Sequence, residues 1–396
     1  VYFLCQKVGE TMKKPIRILS LNMDILAEID NYESMFFNRS WHGIGAIELR
    51  INRYMKYANT LLKDNLILIG TDLNKVFIIK HREIELDENG KITENWLIKG
   101  YALKSVVAQR ITMPPTHTAY DYKSGSSETI MKHYVNNNLV NPVDSRRKIP
   151  QLVIAPDLQR GAHTTYSSRF KNVAEEVSTL SIASGLGWDV TLDIRNKKWV
   201  FDVVEGKSLI SGQSVNPPVI FSPQFDSLRS LQYTQSEINY KNVAIVAGQG
   251  EGVERRVIEV QATGAGTGIN RHEVFIDARD VAETDDDDQP LPEQVIVQAL
   301  TDRGKQQLAE LIQEEYLEGQ ILTNSPFVYQ KDYDLGDIPT IQNMEWGVTM
   351  DARITDIKEI HEVGGFEIEA TFGNNRPTLI QKIKQELSQI SGEVRR

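Results

Sequence analysis

The sequence predicts an α+β, β-rich fold: two related β-barrel-like domains, each followed by an accessory α/β module, with the second barrel split by an insertion. Three observations carry this. The stretch Tyr333–Phe372 holds three apolar runs: Ile338, Thr340 and Ile341; Val348, Met350, Ala352 and Ile354; and Phe366, Ile368, Ala370 and Phe372. Period-two spacing bounded by Gly, Asn and Asp is the pattern of antiparallel strands with one buried face. Three strands cannot hide that face alone, so they must complete a sheet begun elsewhere. The region 206–248 supplies further strands (Pro217–Phe221, Leu228–Thr234, Asn242–Ala247) but too few for a barrel of its own. A denser β region opens the chain, and a helix–helix–hairpin pattern follows it.

Residues 1–14 read as an N-terminal extension, because Met12-Lys13-Lys14-Pro15 looks like a natural start. The first barrel-like domain spans 15–113. It contains the alternating run Ile44–Ile51, the strands Leu66–Gly70 and Lys75–Lys80, and a turn at Asp87-Glu88-Asn89-Gly90 leading into Trp96–Gly100. A helix-like segment, Tyr101–Arg110, presents Leu103, Val106 and Val107 on one face. Pro114-Pro115 breaks the chain. The accessory module, 114–205, is predicted to hold two helices, one capped by Ser126 or Ser127 and running through Val135, the other capped by Asn172 and stopped at Gly185. A polar loop separates them at 136–150, and a hairpin (Trp188–Asp193, Lys198–Glu205) closes the module. The second barrel-like domain combines 206–248 with 332–373 across an inserted α/β domain, 249–331, whose helix runs from Pro292 to about Glu315 with Gly304 interrupting it. Residues 374–396 read as an amphipathic helix with Leu379, Ile383 and Leu387 on one stripe.

The totals set limits. A chain of 396 residues is too long for one core. At 40% hydrophobic and 25% charged it has an ordinary soluble composition. The single cysteine, Cys5, excludes an internal disulfide framework and any Cys-based zinc site. No apolar run approaches membrane-spanning length. A net charge of −10 argues against non-specific DNA binding, which needs a basic footprint, yet permits an acidic channel that DNA passes without sticking.

Each place that invites catalysis reads better as structure. Gly248-Gln-Gly250-Glu-Gly252 and Gly264-Ala-Gly266-Thr-Gly268 are followed by β-type sequence, so a phosphate would lack its helix N-terminus. The consecutive carboxylates Asp285–Asp288 lack the alternation of a calcium loop. The seven histidines show no short metal-binding spacing. No cofactor is expected. Asp277, Arg279 and Asp280, at a strand end, are expected to form an ion-pair network between modules. Trp41, Trp188, Trp199 and Trp346 fall in or beside strands, where Trp is core or interface. Trp41, Trp346, Asp277, Arg279, Leu379, Ile383 and Leu387 are the interface candidates.

An ordered series of segments carries a resemblance. It comprises Trp41-x-Gly43-x-Gly45-x-x-Glu48-Leu49, the run Val215–Gly252, EVFIDARD (Glu273–Asp280), the run DYDLGDIPTIQNMEWGVTMDARITDI (332–357), and TFGNNRPTL (371–379). Together these resemble a family of siphophage and prophage tail proteins that act as the hub of the tail tip or baseplate, across about Pro15–Ile383. The resemblance implies a structural, non-enzymatic virion protein: a homotrimer whose six barrels form a pseudo-sixfold ring adapting the sixfold tail tube to a threefold tip. Its implied partners are further copies of itself, a distal tail protein or tail tube, and a tip, fibre or receptor-binding protein, with DNA passing through unbound. The alternative is a cell-wall-directed protein, either a muralytic enzyme or a carbohydrate-binding receptor module. Larger relatives add a lytic or fibre region, and the sequence ends about twenty residues after its last expected barrel strand, which favours the hub.

Overall fold

The computed structural model describes residues 14–86, 90–91, 93–284 and 289–373. The expected N-terminal extension, the turn residues Asp87–Asn89, the acidic run Asp285–Asp288 and the C-terminal helix with Leu379, Ile383 and Leu387 lie outside them, Lys14 excepted.

The first lobe contains β1 (Ile16–Leu19), β2 (Ile25–Ile29), β3 (Ser34–Ser40), β4 (Ala46–Asn52), β5 (Leu66–Ile69), β6 (Val76–Glu83) and β7 (Asn95–Ala102). Its core comes from the alternating inward positions, among them Ile18, Phe37, Ile47, Leu49, Phe77 and Ile98. The opposite faces of β5 and β6, through Leu66, Leu68, Val76 and Ile78, pack on the accessory module. Leu103–Gln109 forms a 3-10 helix that buries Leu103, Val106 and Val107, the face expected from the sequence.

The accessory module contains β8 (Asp121–Ser126), α1 (Ser127–Val135), β9 (Leu152–Ile154), β10 (His163–Ser168), α2 (Val173–Ser184), β11 (Gly187–Asp193) and β12 (Lys198–Val204). Both caps are where the sequence puts them. Ser126 accepts from the Thr129 amide and Asn172 from the Ala174 amide, and Gly185 takes the left-handed conformation that ends α2. The expected loop at 136–150 is more ordered. Asn136–Val140 continues α1 as a π-helical turn, because buried Asn138 satisfies two main-chain groups, donating to the Tyr134 carbonyl and accepting from the Met113 amide. The β8–β10 ribbon has no counterpart in the sequence reading, since DYKSGS and HTTYSS carry no apolar alternation.

The rest of the chain forms β13 (Ser208–Leu209), β14 (Ile220–Phe221), β15 (Leu228–Ser236), β16 (Val243–Ala247), β17 (Val257–Gln261), β18 (Glu273–Asp277), α3 (Glu293–Glu310), β19 (Glu314–Ile321), β20 (Ile338–Asn343), β21 (Val348–Asp351), β22 (Ile354–Glu362) and β23 (Gly365–Gly373). Pairing across the insertion is present: β13 and β14 lie parallel to successive halves of β20. Two expectations are corrected. Asn242–Ala247, expected in the split domain, forms β16, which sits between β17 and β18 in the inserted sheet. Val243, Ala244, Val246 and Ala247 are all buried, and such a strand needs covering on both faces; α3 covers one of them. Conversely, the inserted helix ends at Glu310, and β19 joins the large sheet between β15 and β23, with Leu317 and Ile321 facing the second core. Gly304 does not interrupt α3. It lets the helix approach β16 and β17 closely, since a Cβ there would lie 2.7 Å from Val260 and 3.0 Å from Val246.

The strands β13–β15 and β19–β23 make a second lobe around Phe221, Leu317, Ile341, Ile357 and Phe372, and one sheet of eleven strands spans both lobes, in the order β15-β19-β23-β22-β3-β4-β7-β6-β5-β1-β2. The link is the antiparallel ladder of β22 with β3, from Asp356↔Ser40 to His361↔Met35.

Candidate functional site

The seam where β22 meets β3 holds a dense cluster of buried charge. Lys75, in the turn entering β6, is fully buried; its Nζ lies 2.5 Å from Glu359 Oε1, donates to Gln330 Oε1 at 2.9 Å and lies 3.3 Å from Asp72. Tyr329, on the β19–β20 connection, donates to Glu359 at 3.0 Å and accepts from Arg39 of β3 at 2.6 Å. Arg39 also bonds Asp334. The Lys75 ammonium lies 4.8 Å from the Tyr329 ring centroid, a cation–π contact within the same group. Residues from both ends of the chain thus pair with one another around a buried centre, with Asp72 and Asp334 at its partly exposed margin.

Charge states follow from the packing. Burial pushes the Tyr329 phenol well above its ordinary value, so it stays neutral and can donate. Burial alone would raise the Glu359 carboxyl; the neighbouring His361 imidazole and the Lys75 ammonium outweigh it and hold the group at about 2. His361 itself lies between Phe37, to which its ring is parallel, and Phe366, to which it is tilted. A cavity of about 410 Å³ opens beside the cluster, lined by Tyr329, Tyr333, Glu359, His361 and Phe366 among others. The arrangement is suited to fixing two lobes in one register.

A second junction centres on Trp41. Its indole donates to the Gly185 carbonyl at 3.1 Å and its amide donates to the Thr355 carbonyl at 2.8 Å. The ring lies flat against two glycines: a Cβ on Gly187 would sit 2.5 Å from it and one on Gly336 2.1 Å. Trp41 therefore seals the contact of the first lobe with the accessory module and the second lobe, and these covering groups belong to the same chain. Trp346, in the β20–β21 turn, is half-exposed. Asp277 accepts from Arg255 at 2.5 Å and lies 3.5 Å from Arg279, both within the insertion. The link between modules that was expected there is made by Asp280 and Arg303, which pair at 2.5 Å while Arg303 donates to the Ser167 carbonyl of β10. Asp302 adds a bond from the Thr165 amide.

Sequence reasoning missed the Lys75–Glu359 cluster. One signal was available: Glu359 and His361 share the period-two face of β22 with Ile357, so polar groups stood at inward positions. Among the described residues no group of three or more His, Cys, Asp or Glu could hold a metal, and no helix is long and apolar enough to cross a membrane.

Comparison with solved structures gives the fold an external reference. The 43 kDa tail protein of prophage MuSo2 from Shewanella oneidensis superposes with a TM-score of 0.57 at 10% identity, covering 91% of this chain and 98% of its own. A tail protein from Neisseria meningitidis MC58 gives 0.53 at 10% identity, covering 91% and 96%. Prophage tail protein gp18 from Listeria monocytogenes EGD-e gives 0.50 at 11%, covering 96% and 100%. At these identities the likeness concerns the fold. Comparison with curated protein sequences finds no match. The model of one family, the Siphovirus ReqiPepy6 Gp37-like proteins, matches residues 15–374. The chain belongs to that family, in line with the resemblance to siphophage and prophage tail proteins read from its sequence.

Proposed function

We propose that this member of a phage tail protein family is the structural hub of the tail tip: a homotrimer that surrounds the DNA exit path and joins a sixfold tube to a threefold tip. The observation that carries the reading is the single sheet shared by two lobes through β22 and β3. Two sheet-bearing lobes held in fixed register give each chain two similar wall segments, and three copies then supply six. The two lobes correspond to the two barrel-like domains, and the packed accessory and inserted modules form an outer layer. A net charge of −10 suits a lumen through which DNA moves without binding. On this reading the protein resides in the virion tail, contacts a distal tail protein or the tube on one side and a tip or fibre protein on the other, and performs no catalysis.

The test is the mass of the purified chain by light scattering across a concentration series, followed by electron microscopy of the largest species. A particle near three times 44.9 kDa with threefold symmetry and a central opening is expected. A monomer at every concentration that also fails to join purified tails lacking this protein would overturn the proposal.

A further inference from the structure

Three short segments, 109–113, 143–148 and 168–172, lie side by side on the accessory module. Arg110 Nε donates to the Arg147 carbonyl at 3.0 Å, and Arg147 Nη2 donates to the Ile111 carbonyl at 2.5 Å. The Phe170 amide donates to the Thr112 carbonyl and the Thr112 amide to the Lys171 carbonyl, both at 2.8 Å. In a chain of net charge −10, these segments hold six basic residues and a single acidic one, Asp144.

Most of that positive charge is unmatched. Arg146 pairs with Asp144 at 2.8 Å, and Lys171 lies 3.9 Å from Glu176 of α2. Among the described residues, Arg110, Arg147, Lys148 and Arg169 have no carboxylate within ion-pair distance, and the first two direct their donors at neutral oxygens. Burial, and then repulsion from Arg110, lower the Arg147 guanidinium from its ordinary value, with Asp144 opposing them. Cations gathered in this way on an acidic protein leave a site whose counter-charge must come from outside.

The same surface is apolar between its charges. Val143 is 95% exposed and Phe170 51%, with Ile111 and Met113 also open. Phe170 sits at φ +56°, in the left-handed region that a bulky side chain avoids, and gains no burial by adopting it. Its ring centroid lies 4.9 Å from the Arg169 guanidinium, and the Tyr120 ring centroid lies 5.5 Å from the same group. The exposed guanidinium is thus steadied by two aromatic rings, ready for a paired approach by an oxyanion.

We infer that Arg169 and Phe170 centre a docking surface for a second protein, which offers a short segment carrying both carboxylates and apolar side chains. Arg beside Met, aromatic and aliphatic groups is the composition of protein contacts, where Lys is depleted; here Arg outnumbers Lys four to two. A phosphate polymer would run past the patch onto a chain of its own sign, whereas a short segment stays within it. The chain's own run Asp285–Asp288, between Thr284 and Gln289, offers charge with no apolar residue, so a second copy's run would leave Phe170 and Val143 bare. The surface is complete within one copy and stands whether or not three copies assemble.

The test titrates the full chain, by fluorescence anisotropy, with three fluorescein-labelled probes: a peptide repeating leucine and two glutamates, polyglutamate, and inorganic polyphosphate. The leucine–glutamate peptide should bind most tightly. Arg169→Glu with Lys148→Glu should weaken it roughly tenfold or more, while Lys56→Glu with Lys63→Glu, the same charge change on exposed lysines of the first lobe, should leave it unchanged. Phe170→Asn, which suits the left-handed backbone, should weaken the peptide and not polyglutamate, with an unchanged circular dichroism spectrum. Polyphosphate that binds as tightly as the peptide, and is lost in the same variants, would overturn the protein partner in favour of a phosphate polymer. Peptide binding indifferent to these substitutions, or absent, would overturn the surface itself. Self-association of the natural chain that disappears in Arg169→Glu with Lys148→Glu, followed by light scattering, would make a second copy the occupant and overturn the inference as well.

Discussion

Lys75 and Glu359 approach to 2.5 Å with both side chains essentially sealed from solvent, one from the turn before β6 and the other from β22. Around them Tyr329, Gln330 and Asp72 satisfy the remaining donors and acceptors. A buried ion pair of this kind adds little net stability over an apolar pair of equal volume, but removing one partner strands a charge. Its consequence here is registration: β22 matches β3 in the pairing that brings Glu359 under Lys75.

The first prediction follows directly. Lys75→Met and Glu359→Gln should each cost about 3–5 kcal/mol in denaturant unfolding, because each leaves an uncompensated buried group. The double variant Lys75→Met/Glu359→Gln should cost clearly less than the sum, with a coupling of about 1–3 kcal/mol. Additive costs would show that the pair does not act as a unit.

Acid should act on the same cluster. Glu359 is held at about 2 against an ordinary 4.5, and Glu128 is likewise held at about 2, where burial is outweighed by bonds from Lys132 and from Arg160. Depressed carboxylates contribute stability that is fully present above the unfolded-state value and lost as pH falls through the folded one. Unfolding free energy should therefore decline steadily between about pH 4.5 and pH 2. Glu359→Gln should flatten part of that slope in a pH series of chemical denaturation, starting from its lower plateau.

How much of this was legible in the sequence depends on whether a feature is local. The caps at Ser126 and Asn172 and the stop at Gly185 were readable because a helix end is decided within a few residues. Alternation in β23 was readable for the same reason, whereas the run expected from Val348 to Ile354 divides between β21 and the start of β22, which lie in different sheets. Sheet membership was not. Asn242–Ala247 looks like a strand, but which sheet it joins depends on α3, distant in sequence from the pattern itself; Glu314–Ile321, whose first residues read as the end of the inserted helix, is a strand because β15 and β23 receive it. Lys75 carries no local sign of burial, since Glu359 and Gln330, which cover it, come from the other end of the chain. Trp41 was noticed as an aromatic at a strand end, but the Gly185, Gly187 and Gly336 surfaces that receive it are assembled only by folding.

Those glycines support a controlled comparison. Gly336 has φ +91° and a Cβ there would meet the Trp41 ring at 2.1 Å; Gly347 has φ +65° with open space around it. Gly347→Ala should cost only the left-handed backbone penalty, about 1–2 kcal/mol. Gly336→Ala adds overpacking against a rigid ring, a further 1–3 kcal/mol or so, and should lower the thermal midpoint markedly more. Equal losses would mean that Trp41 yields easily and does not lock the junction.

The last prediction reverses the usual sign of a substitution. Replacing a mid-helix glycine with alanine normally stabilises by about 1 kcal/mol. In α3 the Gly304 position faces β17, and a Cβ would fall 2.7 Å from Val260 Cγ2 and 2.8 Å from its Cβ. Neither valine carbon can swing away as the tip of a long side chain would, so the helix must lift off the sheet. That displacement would also strain the Asp302 and Arg303 bonds to Thr165 and Ser167 that tie the insertion to the accessory module. Gly304→Ala is therefore expected to destabilise by about 1–3 kcal/mol and to speed proteolysis between the two modules. Val260→Ala removes the Cγ2 contact but leaves the one at 2.8 Å from the Cβ, so in that background Gly304→Ala should still destabilise, by less than in the natural chain. Gly304→Ala that raises the thermal midpoint of the natural chain would show that α3 does not sit as close to β17 as described.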